Sequence, residues 1–148
     1  AVIDKRKVKV DVSNLKTLKN KQEELYSQVL RTGLYGVFKF LLDQKEQSKK
    51  TCVVFEEFGN KETKTIKSIF YDFCNEFSGK IKQNVSLEYE VAPKKSNNEG
   101  LQLADMTAKA SLKICVGENA DRTCELIKSK LVSRNGNFFN EGLFKVAL

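Results

Sequence analysis

Short apolar runs alternate with long amphipathic stretches along this chain, and this order constrains the fold more than any other feature. The runs typical of strands lie over residues 1–12, over TCVVFEEF from Thr51, and over VSLEYEV at 85–91. Helical periodicity covers 21–47, 61–78, 97–116 and a last stretch from 119 or 121 to 133. The order β-α-β-α-β-α-α predicts an α/β fold with some parallel strands and with helices on the sheet. No linker or repeat interrupts it, so we expect one domain over 1–148.

Two of these helices carry apolar residues at helical spacing, which predicts the faces that they bury. The first stripe comprises Tyr26, Val29, Leu30, Gly33, Val37, Phe40 and Leu41. The second comprises Ile66, Ile69, Phe70, Phe73 and Phe77. We interpret the tyrosines and phenylalanines as core residues rather than as a platform for stacking bases. Ser96 and Glu99 have the spacing of a capping box, which predicts the start of the third helix.

The chain contains no histidine, and this excludes several classes of active site. Zinc sites built on histidine, Ser-His-Asp triads and Cys-His nucleophile pairs all need an imidazole. A mean hydropathy of −0.42 also argues against a membrane protein. Any chemistry must therefore come from carboxylates, lysines, hydroxyls or the four cysteines.

The cysteines indicate a reducing environment. Cys52 and Cys74 follow or lie within apolar runs, which is typical of small buried thiols, whereas a disulfide between Cys115 and Cys124 is an alternative that spacing leaves open. The first residues, AVIDKRKVKV, lack the apolar stretch of a secretory signal. We therefore expect reduced thiols and a cytoplasmic location.

Asp105 is the first candidate for a functional residue. On a helical wheel it falls about 40° from Leu101, beside Ala108 and Leu112, so we expect it on the apolar face of its helix. A carboxylate in such a place is costly unless it is paired or binds a cation. Two interpretations stay open: a catalytic or metal-binding role, and a buried aspartate satisfied by a lysine or by backbone N–H groups.

Glu56 and Glu57 are the second candidates, because they end the apolar run that begins at Thr51. Ligands of open α/β sheets bind at the carboxyl ends of strands. Mg²⁺ and Mn²⁺ prefer oxygen ligands and need no histidine. Glu56 together with Asp105 would suit such an ion, with Glu57 as a further catalytic candidate, although an ordinary charged strand exit is the plainer interpretation.

The segment SNNEGLQLADMTAKAS resembles the C-terminal signature of a family of uncharacterised prokaryotic proteins with a ribonuclease H-like fold. The specific part is Leu-Gln-Leu-Ala-Asp, residues 101–105. Leu25-Tyr26 and the strand ending in Glu56 match the upstream pattern of the family more loosely. The resemblance implies a mixed sheet with helices packed on it, Mg²⁺ or Mn²⁺ as cofactor, and metal ligands at Asp105 and Glu56.

Two departures from the family pattern affect this expectation. The family usually has Asp where this chain has Glu56 and Glu57, and it begins with a strand that carries an Asp-Glu-Ser type motif. Nothing in AVIDKRKVKVDV matches that opening, since Asp4 is not followed by Glu-Ser. The ribonuclease H-like fold would then be incomplete at the N-terminus. A truncated piece, one half of a split protein, and a non-catalytic member all fit this pattern.

The positive charge indicates a polyanionic partner. The formal net charge is +7, and lysines and arginines cluster near predicted element ends, among them Lys5, Arg6, Lys94 and Lys95. Such groups favour phosphate contacts, so we predict that these four bind nucleic acid. Many lysine-rich proteins carry similar charge for solubility alone. No Gly-rich phosphate loop and no RNA-recognition or helix-turn-helix signature is present.

Three classes of function follow from these observations. The first is nucleic-acid processing by a metal-dependent nuclease, in which the ions activate water and stabilise the leaving oxygen. The second is a non-catalytic module of the same fold that binds nucleic acid or protein. The third is a toxin-like or structural phage or plasmid protein. The sequence leaves open DNA against RNA, the oligomeric state and the enzyme assignment itself, and it predicts no membrane partner.

Overall fold

The computed structural model describes residues 15–81, 85–118 and 121–137. Within these residues, four α-helices and two strands form in the order α1 Leu15–Asp43, β1 Thr51–Glu56, α2 Asn60–Ile81, β2 Leu87–Ala92, α3 Glu99–Val116 and α4 Arg122–Lys130. A short 3₁₀ turn, Lys94–Ser96, separates β2 from α3. The strand predicted over 1–12 lies outside the described residues, and so does most of the apolar C-terminal tail.

The described residues form a mixed α/β structure with a two-stranded parallel sheet. β1 and β2 pair in register from Thr51 opposite Leu87 to Glu56 opposite Ala92. Parallel strands need a crossover connection, and α2 supplies it, so that β1, α2 and β2 form one βαβ unit. The prediction of an α/β structure with parallel strands is therefore confirmed.

The chain divides into two compact units, which are described separately. Unit 2 is Leu34–Ala104, and it contains the βαβ unit together with the end of α1 and the start of α3. Unit 1 comprises the described residues of Ala1–Gly33 and Asp105–Leu148, which include α4. The single domain over 1–148 stays a prediction.

The core of unit 2 lies between α2 and one face of the sheet. Ile66, Phe70 and Phe73 of α2 are almost completely buried, as the periodicity of this helix predicts. The ring of Tyr89 on β2 lies 5.2 Å from that of Phe55 on β1 and 5.5 Å from that of Phe70, centroid to centroid. This aromatic cluster joins the helix to the sheet, since paired rings gain energy beyond their buried area.

The prediction for the buried face of α1 is confirmed at Leu41 and wrong at other positions of the stripe. Leu34, Phe38 and Leu41 are buried, whereas Tyr26 and Phe40 of the predicted stripe are 46% and 49% exposed. The buried residues are spaced by four and three, as a core-facing helix requires, but the face that they form is rotated around the helix from the predicted stripe and shares only Leu41 with it. The wheel misplaced the centre of the buried face because α1 carries apolar residues around much of its circumference.

α1 begins and ends earlier than predicted, at Leu15 and Asp43 instead of about 21 and 47. Its end is fixed by two backbone hydrogen bonds, from Glu46 N–H to Leu41 O and from Lys45 N–H to Leu42 O. This is the pattern of a Schellman motif, in which the residue before the last one, the C′ residue, adopts the left-handed conformation. Lys45 occupies that position with φ 57°.

Two other helix ends also differ from prediction. α2 continues to Ile81, beyond its predicted end at 78. α3 begins at Glu99, and the side-chain oxygen of Asn98 accepts the N–H of Leu101 at 3.1 Å. The expected cap, Ser96, instead closes the 3₁₀ turn. Asparagine caps a helix as well as serine does, so the sequence alone does not decide whether Ser96 or Asn98 caps α3.

In unit 1, α4 packs on α3 through small side chains. Cys124 of α4 and Ala110 and Ser111 of α3 are buried. The thiol of Cys124 lies 3.9 Å from the carbonyl oxygen of Ala110. Asp121 caps α4 by accepting the N–H of Cys124. α4 spans Arg122–Lys130, a shorter stretch than the predicted one.

We searched the described helices for one that could cross a lipid bilayer. None of them, α1 included, combines the required length with sufficient apolar character.

Candidate nucleic-acid interface and carboxylate residues

Two loops leave the sheet side by side at its carboxyl edge. The N–H of Glu57 donates to the carbonyl oxygen of Ala92 at 2.9 Å, which extends the pairing one step beyond the strands. The loop 57–59 then leads into α2, and the loop 93–98 leads into α3. We call these two loops the carboxyl edge. It is the location at which open α/β sheets bind their ligands.

The loop 93–98 is held by its own hydrogen bonds. The N–H of Ser96 donates to the carbonyl oxygen of Pro93 at 2.8 Å, and Asn97 turns the chain with φ 51°. The Gln102 amide donates to the Asn97 side-chain oxygen at 2.5 Å. Asparagine tolerates the left-handed conformation better than most residues, which explains its place in this turn. The backbone beneath Lys94 and Lys95 is therefore fixed.

Lys94 and Lys95 are exposed on this loop, and within the described chain neither has a carboxylate partner. Several other lysines are paired: Lys50 with Glu88 at 2.8 Å, and Lys113 with Asp121 at 2.7 Å. Such pairs reduce the charge that a lysine offers to an external anion. The two loop lysines keep theirs.

The two candidate glutamates lie at the same edge. Glu56 is half-buried at the last position of β1, and Glu57 is exposed at the next. Their predicted position at the carboxyl end of a parallel strand is confirmed. Two acidic side chains, one at the end of β1 and one on the loop 57–59, thus lie beside two basic side chains on the loop 93–98.

Phe58 lies on the loop 57–59, and its side chain is 52% exposed. Its backbone is fixed, since the Thr63 hydroxyl donates to the Phe58 carbonyl oxygen at 3.1 Å and the Thr63 N–H donates to the Gly59 carbonyl oxygen at 3.0 Å. The prediction that the aromatic residues are core is wrong for this residue, as it is for Tyr26, Phe40 and Tyr71. The available signal was its place between Glu57 and Gly59, after the apolar run had ended.

The prediction for Asp105 is also wrong in its placement. Its side chain is 64% exposed and accepts a hydrogen bond from Lys109, one turn further along α3, at 2.6 Å. The buried face of α3 instead contains Ala110, about 180° around the helix from Leu101. The expected lysine partner is present, but the carboxylate is solvated rather than buried.

The described residues provide no complete metal site. No three Asp, Glu or Cys side chains among them are grouped so that they could hold an ion. Asp105 belongs to unit 1 and Glu56 to unit 2. The described carboxylates therefore do not by themselves fit a bound Mg²⁺ or Mn²⁺.

The sheet face opposite α2 carries a second polar cluster that the sequence did not predict. The thiol of Cys52 donates to Glu90 Oε2 at 3.1 Å, and this hydrogen bond is the main cause that raises the pKa of Cys52. Cys52 is exposed, so the prediction that it is buried is wrong. Side chains alternate between faces along a strand, which places it opposite Phe55.

All four cysteines are free, so the alternative of a disulfide between Cys115 and Cys124 is not realised. Cys124 is buried and Cys74 is half-buried, and burial raises the pKa of the Cys74 thiol. The other predicted nucleic-acid contacts, Lys5 and Arg6, lie outside the described residues.

Comparisons with known proteins leave the family resemblance a prediction. No protein-family model, no curated protein and no solved structure matches this chain.

Proposed function

We propose that this chain binds nucleic acid through the carboxyl edge of its parallel sheet, as a basic module without catalytic activity of its own. One observation carries the proposal: Lys94 and Lys95 are exposed there and have no carboxylate partner in the described chain. We also propose that the protein is cytoplasmic and that its α/β fold is ribonuclease H-like, as the sequence predicts.

Electrostatics supplies the driving force. A protein that neutralises phosphates with lysines releases condensed counterions, and this release makes binding favourable and dependent on salt. The net charge of +7 attracts a polyanion from a distance, whereas unpaired lysines on a fixed loop decide where it binds. The hydrogen bonds from Ser96 to Pro93 and from Gln102 of α3 to Asn97 hold that loop in place before any ligand arrives.

The test compares two double variants, each of which removes two lysine charges from a different part of the surface. The variant Lys94→Gln/Lys95→Gln removes two charges from the carboxyl edge. Its control, Lys64→Gln/Lys67→Gln, removes two from the exposed face of α2, where the described chain likewise offers no carboxylate partner. Binding of labelled oligonucleotides is measured by fluorescence anisotropy at several salt concentrations.

We expect the edge variant to weaken binding and to reduce the slope of log K against log salt by about 1 to 2, since each phosphate contact contributes about 0.7–0.9. The control should change the affinity less and leave the slope nearly unchanged. Equal effects of the two variants would show general attraction without a site, and the proposal would then be wrong.

A second candidate is phosphodiester hydrolysis that depends on Mg²⁺ or Mn²⁺, with Glu56, Glu57 and Asp105 as the catalytic carboxylates. Glu56 supports it, because this side chain is half-buried at a strand end where ligands of α/β sheets bind. The Asp105–Lys109 ion pair would have to open before Asp105 could bind a cation. The binding module therefore fits the described geometry better.

A cleavage assay separates the two candidates. The wild type, Glu56→Gln and Asp105→Asn are incubated with single- and double-stranded substrates in Mg²⁺ or Mn²⁺. Asp72→Asn, an exposed aspartate of α2, is the matched control. Cleavage that both site variants abolish and the control retains would establish the nuclease. Salt-sensitive binding without cleavage supports the module.

A further inference from the structure

We propose that the carboxyl edge binds single-stranded nucleic acid, with one base stacked on the ring of Phe58 and the neighbouring phosphates against Lys94 and Lys95. This inference rests on the proposed function and adds the class of ligand. Its basis is the exposed Phe58 on the loop 57–59, which lies beside the loop 93–98 that carries the two lysines.

Backbone pairing sets the two loops next to each other. Glu56 pairs with Ala92, and the Glu57 N–H still donates to the carbonyl oxygen of Ala92. Paired strands lie about 4.8 Å apart, so Phe58 and Lys94 follow positions separated by roughly that distance. An aromatic ring and two ammonium groups therefore come from adjacent loops, as a ligand with both a base and a phosphate requires.

Phe58 combines exposure with a fixed position at the carboxyl edge. Among the described residues of unit 2, seven apolar side chains are buried, including those of Phe70 and Phe73. The core of this unit is therefore filled without Phe58. Its backbone is anchored by Thr63, which limits the freedom that the residue would lose when it binds a ligand. An anchored, exposed ring is suited to stacking, which depends on the face of a base and not on its sequence.

The ring selects single strands because duplex bases already stack on one another. Flipping a base out of a duplex costs a few kcal/mol, whereas a single strand presents its bases freely. Glu57 beside Phe58 repels phosphate by its charge. This repulsion favours the orientation in which the phosphates contact Lys94 and Lys95 and the base stacks on the ring of Phe58.

The experiment uses the full chain and labelled DNA and RNA oligonucleotides of roughly 12 nucleotides, within the size range of single-strand sites. Duplexes of the same length are the second set of probes. Phe58→Leu keeps an apolar side chain but removes the ring, and Phe58→Trp enlarges the ring. Phe40→Leu is the matched control, since Phe40 is exposed to a similar degree, on α1.

We expect Phe58→Leu to weaken single-strand binding by about 5- to 100-fold, which corresponds to the loss of one stacked base. Duplex binding should stay within about twofold, and Phe40→Leu should behave as the wild type. Phe58→Trp should retain binding. Because the chain has no other tryptophan, the tryptophan emission of that variant, excited selectively over the four tyrosines, reports on position 58 alone, and it should be quenched when a base stacks.

The outcomes separate this inference from the proposed function. If Phe58→Leu binds single strands as the wild type does, while Lys94→Gln/Lys95→Gln weakens binding, the stacking inference is overturned and the binding function is supported. Equal losses for single strands and duplexes would also overturn it. If the wild type binds neither probe, both proposals fail.

Discussion

Lys113 Nζ lies 2.7 Å from Asp121 Oδ2, an ion pair that joins the last turn of α3 to the cap of α4. The other carboxylate oxygen of Asp121 accepts the N–H of Cys124 at 2.9 Å. Lys113 first, and the Cys124 N–H second, hold the pKa of Asp121 well below its usual value. One side chain thus fixes both the cap of α4 and the junction between the two helices of unit 1.

Substitution of Asp121 separates these two roles. Asn keeps an oxygen for the cap but loses the charge, whereas Ala loses both. We expect the melting temperature to decrease in the order wild type, Asp121→Asn, Asp121→Ala, with a fall of several degrees for Ala. Thermal unfolding followed by circular dichroism measures it. Asp105→Asn, which breaks only the exposed pair with Lys109, should have a smaller effect. A melting temperature unchanged by Asp121→Ala would contradict the assigned role.

The same carboxylate predicts a pH dependence. A group whose pKa is lowered by folding stabilises the folded state above its unfolded pKa, here 3.8, and this contribution is lost as the pH falls below it. The difference in melting temperature between the wild type and Asp121→Asn should therefore be constant near neutral pH and shrink below about pH 4. Melts across this range test the prediction. A difference that grows in acid would reverse the assigned sign.

Phe70 should be the most sensitive position of unit 2. Its side chain is fully buried and its ring contacts those of Phe55, Tyr71 and Tyr89. Phe70→Ala removes these contacts and leaves a cavity, which costs about 3–5 kcal/mol of the free energy of unfolding. Urea titration measures this cost. Phe40→Ala removes the same residue type from an exposed position and should change stability by no more than about 0.5 kcal/mol.

The sequence predicted best where apolar residues occupy one side of an element. In α2 the polar residues leave a single apolar face, so Ile66, Phe70 and Phe73 were found correctly. In α1 both sides are apolar, and a wheel cannot tell which side another element covers. The buried face of that helix is decided by packing, and packing is not encoded in local spacing.

The same reason explains Asp105. α3 carries Ala, Leu or Met on every side, so its periodicity indicates no single face. The face that is buried contains the small residues Ala110 and Ser111, beside Cys124 of α4 in unit 1. The strand-end position of Glu56 was easier to predict, because a run of apolar residues that stops at a charge marks the end of a strand directly.

Cys52 should react slowly despite its exposure. The thiolate is the reactive form, and the hydrogen bond to Glu90 raises the pKa of the thiol, so less thiolate is present near neutral pH. Glu90→Gln removes the negative charge and should increase the alkylation rate of Cys52 several-fold at pH 7.5, as measured by iodoacetamide labelling and peptide mass spectrometry. Glu125→Gln, at an exposed position of α4, is the control and should leave the rate unchanged. An equal rate in the wild type and Glu90→Gln would show that the carboxylate does not restrain the thiol.

Lys45 is the position at which a substitution should stabilise the chain. It follows the last turn of α1 with φ 57°, a conformation that costs energy for a residue with a Cβ and little for glycine. Lys45→Gly should therefore raise the free energy of unfolding by about 0.5–1 kcal/mol, and Lys45→Val should lower it because a β-branched residue fits this region poorly. Lys64→Gly, in the exposed middle of α2, is the matched control and should lower stability by about 1 kcal/mol. Urea unfolding measures both changes in the free energy of unfolding. Changes of opposite sign for the same Lys-to-Gly substitution would confirm that the backbone conformation, and not the lost charge, decides the effect. A lower free energy of unfolding at both positions would contradict the left-handed turn at Lys45.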